Sequence, residues 1–265
     1  MRLNRSQQLL DRADGGQTLR GTVLSSADPV LAELVATSFD FVWIDLEHSA
    51  LTIRDLQTLT IAVQASDCAA LVRLPHAGSD LLTAVLDAGV DGVVAPRVSC
   101  ARQAQELVTS LAYPPGGCRG FAPRRGNAFG RSQATGAHSP RLISIAQIET
   151  SESLGNLHEI AAVQDLDWLL VGLADLSFEL GAPLDPQAPQ MRAAVKRVRE
   201  AAQRSGVRFG LAASGGKEAL ARLLTPHVSM LLYSSDARLY AEAIAGAERT
   251  TTAAIGRAAV DSTGR

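Results

Sequence analysis

A chain of 265 residues, 46% of them hydrophobic and 20% charged, holds enough apolar material for one sizeable core. Its net charge of −2, from 25 basic and 27 acidic residues, gives no electrostatic reason to expect nucleic acid or an anionic membrane as a partner. No apolar run approaches the ~20 residues of a membrane span, and Met1-Arg2-Leu3-Asn4-Arg5 leads into Ser6-Gln7-Gln8 rather than an apolar signal core, so a cytoplasmic protein is expected.

Short apolar, β-branched runs alternate along the chain with longer stretches of helical periodicity. A strand at Arg20–Leu24 is followed by a helix over Pro29–Thr37, with Asp28 before a proline at the first helical position. The strand Phe41–Leu46 precedes a helix over Ile53–Ala65, which Thr52 and Asp55 open as a capping box. The strands Ala70–Leu74 and Gly92–Pro96 then pair with helices Leu81–Ala88 and Ala101–Leu111. The strands Leu142–Ile148 and Trp168–Val171 pair with Ser153–Ala162 and Pro189–Ser205. Last come Phe209–Ala213 and Val228–Tyr233, with helices Lys217–Leu224 and Arg238–Glu248.

Eight βα units predict a single α/β domain over residues 1–248, a (β/α)8 TIM barrel whose site lies at the C-terminal ends of the strands. An open doubly wound sheet is disfavoured because no Gly-rich phosphate fingerprint follows the first strand. Residues 249–265 lack an apolar stripe and are expected to form a flexible tail. The loop from Tyr113 to Pro140 is too long for a routine connection, which marks it as functional. Cys68, Cys100 and Cys118 contain no CxxC pair, which argues against a disulfide framework or a cysteine–zinc site; Cys68 and Cys100 read as small fillers.

The polar residues at the strand ends are concentrated. Asp45, Glu47 and His48 follow the second strand, Arg73 ends the third, Gln147 and Glu149 close the fifth, and Asp175 lies just past the sixth. Buried unpaired charges are costly, so a strand ending this way needs polar company at its tip. Gln147 and Glu149, two apart, share a side of their strand. Glu149 and Asp175 have no neighbouring lysine in sequence, and two carboxylates with oxygen-only ligation select a hard cation, Mg2+ or Mn2+, over zinc. Helix capping is the plainer role for each of these acids taken singly. His76 follows the third strand, and Ser214-Gly215-Gly216 reads as a Gly-rich turn.

Five motifs occur in order: Asp45-Leu46-Glu47-His48, Val72-Arg73-Leu74-Pro75, Tyr113-Pro114-Pro115-Gly116-Gly117-Cys118-Arg119-Gly120, Gln147-Ile148-Glu149-Thr150 and Gly172-Leu173-Ala174-Asp175-Leu176-Ser177. In that order and spacing the chain resembles the HpcH/HpaI family of metal-dependent (class II) pyruvate aldolases from about residue 20 to about 245. The resemblance implies a barrel of the phosphoenolpyruvate/pyruvate-binding type that reversibly cleaves a 4-hydroxy-2-oxo acid to pyruvate and an aldehyde. It implies that Glu149 and Asp175 hold Mg2+ or Mn2+, with Co2+ a third option, and that Arg73 hydrogen-bonds the enolate oxygen. His48 would relay the proton of the 4-hydroxyl, with Asp45 or Asp87 orienting its ring. Gln147 would support the metal carboxylate, and Gly172 and the backbone around Ala174 would receive the substrate carboxylate. A homo-oligomer, hexamer or trimer, is implied as well.

The chain departs from that pattern in three places. Leu173 stands where the family usually has proline, and Ser234-Ser235-Asp236 replaces Gly-Val-Asp. The stretch from Arg119 to Arg131 is unusually basic; it reads either as a solvated charge run or as a clamp for a second anionic group. The rival functions are a condensing enzyme using the same enolate, citrate-synthase-like or decarboxylative, and a non-catalytic barrel that binds 2-oxo acids.

Overall fold

Eight parallel strands close into a barrel in sequential order: β1 Leu19–Leu24, β2 Phe41–Asp45, β3 Ala69–Arg73, β4 Gly92–Ala95, β5 Ile143–Ile148, β6 Trp168–Gly172, β7 Arg208–Ala213 and β8 Val228–Ser235. The structure, a computed structural model, describes residues 4–131 and 141–263. Positions 132–140 of the long loop therefore lie outside the described residues. The (β/α)8 expectation holds, and each of the eight expected strands lies within two residues of its place at either end.

Strand alternation divides the apolar residues between two cores. Phe41 and Trp43 of β2, Ala69 and Leu71 of β3, Ile143 and Ile145 of β5, and Trp168 and Leu170 of β6 fill the barrel interior. Their neighbours Val42, Ile44, Ala70, Val72, Ala146, Ile148, Leu169 and Val171 pack outward against the helices. Every residue of β2 through β6 is buried, as parallel strands covered on both faces require. Gly21 makes this filling possible: a Cβ there would sit 2.1 Å from the Phe41 ring.

The helices around the barrel are α1 Arg5–Asp14, α2 Pro29–Ala36, α3 Ile53–Ala65, α4 Leu82–Ala88, α5 Ala101–Leu111, α6 Ser151–Gly155, α7 Leu157–Ala161, α8 Leu173–Glu179, α9 Pro189–Ser205, α10 Lys217–Leu223 and α11 Asp236–Thr263. The sequence reading lacks α1, which Asn4 caps by accepting from the Gln7 amide. Its Leu9, Leu10 and Ala13 join the interior core and close the N-terminal end of the barrel. It also lacks α8, which starts directly at the end of β6. The single helix expected over Ser153–Ala162 is two, divided at Asn156, whose side-chain amide donates to the Ser99 carbonyl at 2.8 Å.

The flexible tail expected from residue 249 is instead a continuation of α11 to Thr263. Alanine-rich sequence favours the helix, and Thr250 and Thr251 donate their hydroxyls to the carbonyls of Gly246 and Ala247 at 2.9 and 3.0 Å. Residues 249–255 are exposed, so the missing apolar stripe there signals exposure rather than loss of helix.

The N-terminal end of the barrel is tied by one repeated device. Asp40, Asp91 and Asp167 each precede an even-numbered strand and accept the backbone N–H of the second residue of the strand before it. The donors are Arg20 at 2.7 Å, Ala70 at 2.9 Å and Ser144 at 2.9 Å. Cys68, at the same end, is a buried filler whose thiol burial pushes up to about 12, so it is inert. Replacing Leu10, fully buried in α1, by alanine is expected to lower unfolding stability by about 2–5 kcal/mol in urea titrations.

Candidate active site

Register sets the first half of the site. Asp45 and Arg73 are paired Cα partners on β2 and β3, and alternation carries both onto the inward rows begun by Trp43 and Leu71. The guanidinium engages Asp45 through two bonds, Nε to Oδ1 at 2.9 Å and Nη2 to Oδ2 at 2.6 Å. Its Nη1 lies 2.9 Å from Glu47 Oε2, and its face lies over the Trp43 ring at 5.6 Å. Such forked, charge-assisted pairing fixes the plane of Arg73.

This corrects the expected orienter of His48. Asp45 is committed to Arg73 and to the backbone amides of Glu47 and His48, at 2.9 and 3.4 Å, and not to the imidazole. The side-chain neighbour of His48 is Glu47, with Nε2 3.8 Å from Oε2. The imidazole is 65% exposed and stands at the mouth. Asp87 is not brought to His48 either. It sits near the C-terminal end of α4, which runs back toward the N-terminal end of the barrel, and it lines a small surface cavity with Cys118 and Arg119. His76 is exposed, and its ring faces the Ala77 carbonyl.

The second half is built on β5 and β6. Glu149 is 1% exposed. Its Oε1 accepts the Arg97 amide at 2.9 Å, and its Oε2 accepts from the side-chain amide of Gln147. Gln147 Oε1 is buried without a hydrogen-bond partner among the described residues. Gly172 lies against this pair: a Cβ would come within 2.3 Å of Glu149 Oε2 and 2.7 Å of Gln147 Nε2. Glycine is therefore required by close approach, and its part here is to leave room for the carboxylate. Asp175, in the first turn of α8, is half-buried, and its charge raises the pKa values of both Glu149 and Glu47. The amide of Arg97 was not expected from the sequence; it is a backbone contact from a loop residue with φ of 50°, which side-chain chemistry cannot signal.

Burial pushes Glu149 up to about 7, against the Arg97 amide that lowers it. Burial also raises Glu47, with Arg73 and His48 opposing. Three carboxylates, Asp45, Glu47 and Glu149, thus share one buried guanidinium, Arg73, and the charge of a fourth, Asp175, acts on Glu47 and Glu149. Among the described residues no three His, Cys, Asp or Glu side chains converge into a cage. The donor set fits a hard divalent cation held by Glu149 and Asp175, with further coordination positions left to water or substrate oxygen.

Ala174 is exposed and lines a cavity of about 540 Å³ that opens beside α8, between the ends of β1, β7 and β8. None of the four carboxylates lines this cavity. The basic loop, by contrast, does not clamp a ligand through its inner arginines. Arg119 stacks on Tyr113 at 4.6 Å and donates to the Leu86 carbonyl at 3.4 Å, while Arg125 donates to those of Ala88 and Gly89 at 3.1 and 3.2 Å. Both serve the C-terminal end of α4, where cations are favoured. Arg124 and Arg131 are exposed.

The raised carboxyl of Glu149 has a consequence for stability in chelator-treated protein. The fold favours its protonated form, so that stabilisation is complete below the unfolded value of 4.5 and is lost as pH rises through about 7. The stability of wild type relative to Glu149→Gln, whose side chain stays neutral, is expected to fall across that window. Urea midpoints measured in EDTA from pH 4.5 to 8 check this, and a flat difference rejects it. Gly172→Ala is expected to weaken Mn2+ binding measured by calorimetry, because its Cβ displaces the carboxylate.

Comparison with known proteins agrees with this geometry. The profile of the HpcH/HpaI aldolase/citrate lyase family matches residues 21–223. The hydroxypyruvate/pyruvate aldolase of Rhizorhabdus wittichii is 33% identical over 192 residues, covering 72% of this chain and 76% of its own. The crystal structure of an HpcH/HpaI aldolase/citrate lyase family protein from Burkholderia cenocepacia superposes with a TM-score of 0.86 at 29% identity, covering 92% and 99% of the two chains. The structure of citrate synthase SbnG gives 0.81 at 26% identity over 92% and 97%. A profile match over most of the barrel, with a relative this similar, places the chain in the HpcH/HpaI aldolase/citrate lyase family.

Proposed function

We propose that these strand ends catalyse the reversible aldol cleavage of a 4-hydroxy-2-oxo acid to pyruvate and an aldehyde. The observation that carries this reading is the charge imbalance: four carboxylates around a single buried guanidinium, with Glu149 almost wholly enclosed. Class II aldol chemistry is the activity of the family, and relatives are named as aldolases of hydroxypyruvate and of 4-hydroxy-2-oxovalerate.

Glu149 and Asp175 would hold a divalent cation, Mg2+ or Mn2+ with Co2+ a third option, which would supply Lewis-acid polarisation of the substrate's 2-keto oxygen. Arg73, held on two sides by Asp45 and Glu47, presents fixed positive charge where negative charge develops on that oxygen. His48, at the mouth, takes the proton of the 4-hydroxyl as the C3–C4 bond breaks, and the bond pair becomes the pyruvate enolate. Its exposure lets it exchange that proton with solvent. Gln147 keeps Glu149 in place, and the backbone at Ala174 receives the substrate carboxylate. A homo-oligomer suits the exposed Tyr240, Ile244 and Ile255 of α11. Among the described residues no helix is long and apolar enough to cross a membrane, and a cytoplasmic enzyme fits that finding.

The likeness to citrate synthase SbnG favours one second reading, condensation of the same enolate with an acceptor. Pyruvate release from 4-hydroxy-2-oxo acids, with Mn2+ or Mg2+ and with EDTA, tests the choice. Cleavage is expected to stop in EDTA and to fall about 10²-fold or more in Glu149→Gln and Asp175→Asn. His48→Asn is expected to lose about 10²–10⁴-fold in kcat. Turnover indifferent to chelator and to both carboxylate variants rejects the metal–enolate reading; enolate formation without cleavage selects condensation.

A further inference from the structure

Two charged side chains at the mouth take no part in the proposed cleavage, yet both are bound to the segments that carry the metal carboxylates. Arg97, in the loop after β4, donates its amide to Glu149 Oε1 at 2.9 Å. Its guanidinium Nη2 stands 3.7 Å from Oε1 of Glu179, the last residue of α8. The other oxygen of Glu179, Oε2, accepts the amide of Ser151 at 3.2 Å. Ser151 opens α6 two residues after Glu149. The contacts therefore close a ring: Glu149 to Arg97, Arg97 to Glu179, Glu179 to Ser151, and back along the chain to Glu149.

Asp175 enters this ring through α8. It stands four residues before Glu179, one turn away, so the two carboxylates share a face of the helix. Among the described residues no hydrogen bond holds the Asp175 carboxylate, so its place follows that of α8. This short helix has no side-chain cap at its start, because its N-cap is Gly172, the residue that must lack a Cβ to admit Glu149. Leu173 and Leu176 are buried beneath it, but apolar burial is non-directional. The contacts of Glu179 add a directional restraint on the side of Glu149. Arg97 supplies an independent observation. Its φ is 50°, a left-handed conformation that suits glycine and strains any residue with a Cβ. Glycine would deliver the amide without strain, so retention of arginine there points to a use for its side chain.

We infer that Arg97 and Glu179 are a positioning pair that sets how closely Asp175 approaches Glu149, and so the bite that the two carboxylates offer a divalent cation. This rests on the metal assignment of the aldolase reading above and adds to it two residues that touch no metal themselves. The pair is half-exposed, and such an ion pair adds little to stability in water. Its effect lies in geometry instead. Metal–oxygen distances tolerate deviations of only about 0.2 Å, so a weak restraint one turn from a ligand changes affinity where it barely changes folding.

Calorimetry of Mn2+ binding without substrate tests this in the wild-type chain, Glu149→Gln, Arg97→Gly, Arg97→Lys, Glu179→Ala and the double variant Arg97→Gly/Glu179→Ala. Glycine accepts the left-handed conformation, so Arg97→Gly removes the side chain and keeps the amide, and its urea midpoint in EDTA is expected to match the wild type. Arg97→Gly and Glu179→Ala are each expected to raise the Mn2+ dissociation constant about 10-fold, and Arg97→Lys to keep most of the affinity. Charge alone predicts the opposite sign for Arg97→Gly, since that variant removes a positive group from the neighbourhood of the cation. The double variant is expected to bind about 10-fold more weakly than wild type, and not about 100-fold, because the two residues act as one contact. Unchanged or tighter binding in Arg97→Gly, or single effects that add in the double variant, overturns the pair and leaves the metal assignment standing. Absence of Mn2+ binding in the wild type, or binding unmoved by Glu149→Gln, overturns the metal assignment and this inference with it.

Discussion

The ion cluster of Arg73 with Asp45 and Glu47 is the constraint around which the catalytic face is arranged. A guanidinium buried at the top of the barrel interior needs its donors satisfied, and the two carboxylates do this at the cost of leaving negative charge in excess. That excess extends across the barrel to Glu149 and Asp175: the Asp175 charge raises both Glu47 and Glu149. Under the proposed reading a divalent cation held by Glu149 and Asp175 would balance such a set, while Asp45 and Glu47 hold the guanidinium.

The opposite end of the barrel is arranged for cohesion. There α1 inserts Leu9 and Leu10 into the interior, and Asp40, Asp91 and Asp167 close backbone N–H groups of neighbouring strands. Asp167 is as enclosed as Glu149, yet it is met by the Ser144 amide and hydroxyl and by Arg141 and Arg208. Buried carboxylates at the two ends thus differ in what surrounds them. Burial raises both carboxyls; ion pairs with Arg141 and Arg208 oppose it at Asp167, whereas Glu149 is met by the Arg97 and Gln147 amides, and Gln147 keeps an oxygen without a partner among the described residues. Division between a stabilising and a reactive end is the general plan of this barrel.

Much of this was legible in the chain. Fully buried parallel strands read as continuous apolar runs, so all eight were found, and the polar residues at their C-terminal ends, Asp45, Arg73, Gln147 and Glu149, stood out against those runs. Elements that follow no such rule were lost: α1, whose polar residues outnumber its buried ones, and α8, which is a single short run off the end of β6. Within one chain Asp87 lies apart from His48, and the sequence hides this because it gives a helix position without the direction in which the helix runs. Asp45 was assigned to the wrong partner because His48 is nearer in sequence, whereas Arg73 is nearer across the sheet. The Arg97 amide depends on loop conformation, for which composition carries no signal.

The two tryptophans of the chain, Trp43 and Trp168, are both fully enclosed, and each lies beneath an arginine. Arg73 covers Trp43 on the reactive side, while Arg208 covers Trp168 at the start of β6, where the indole N–H also donates to Ser229 at 3.0 Å. The tryptophan fluorescence of the protein, excited selectively near the red edge, therefore arises within the barrel lumen, from two emitters in separate electric fields. Movement of the Arg73 charge acts on one indole and spares the other, so the molecule carries an optical gauge of its catalytic face with an internal reference at the opposite end.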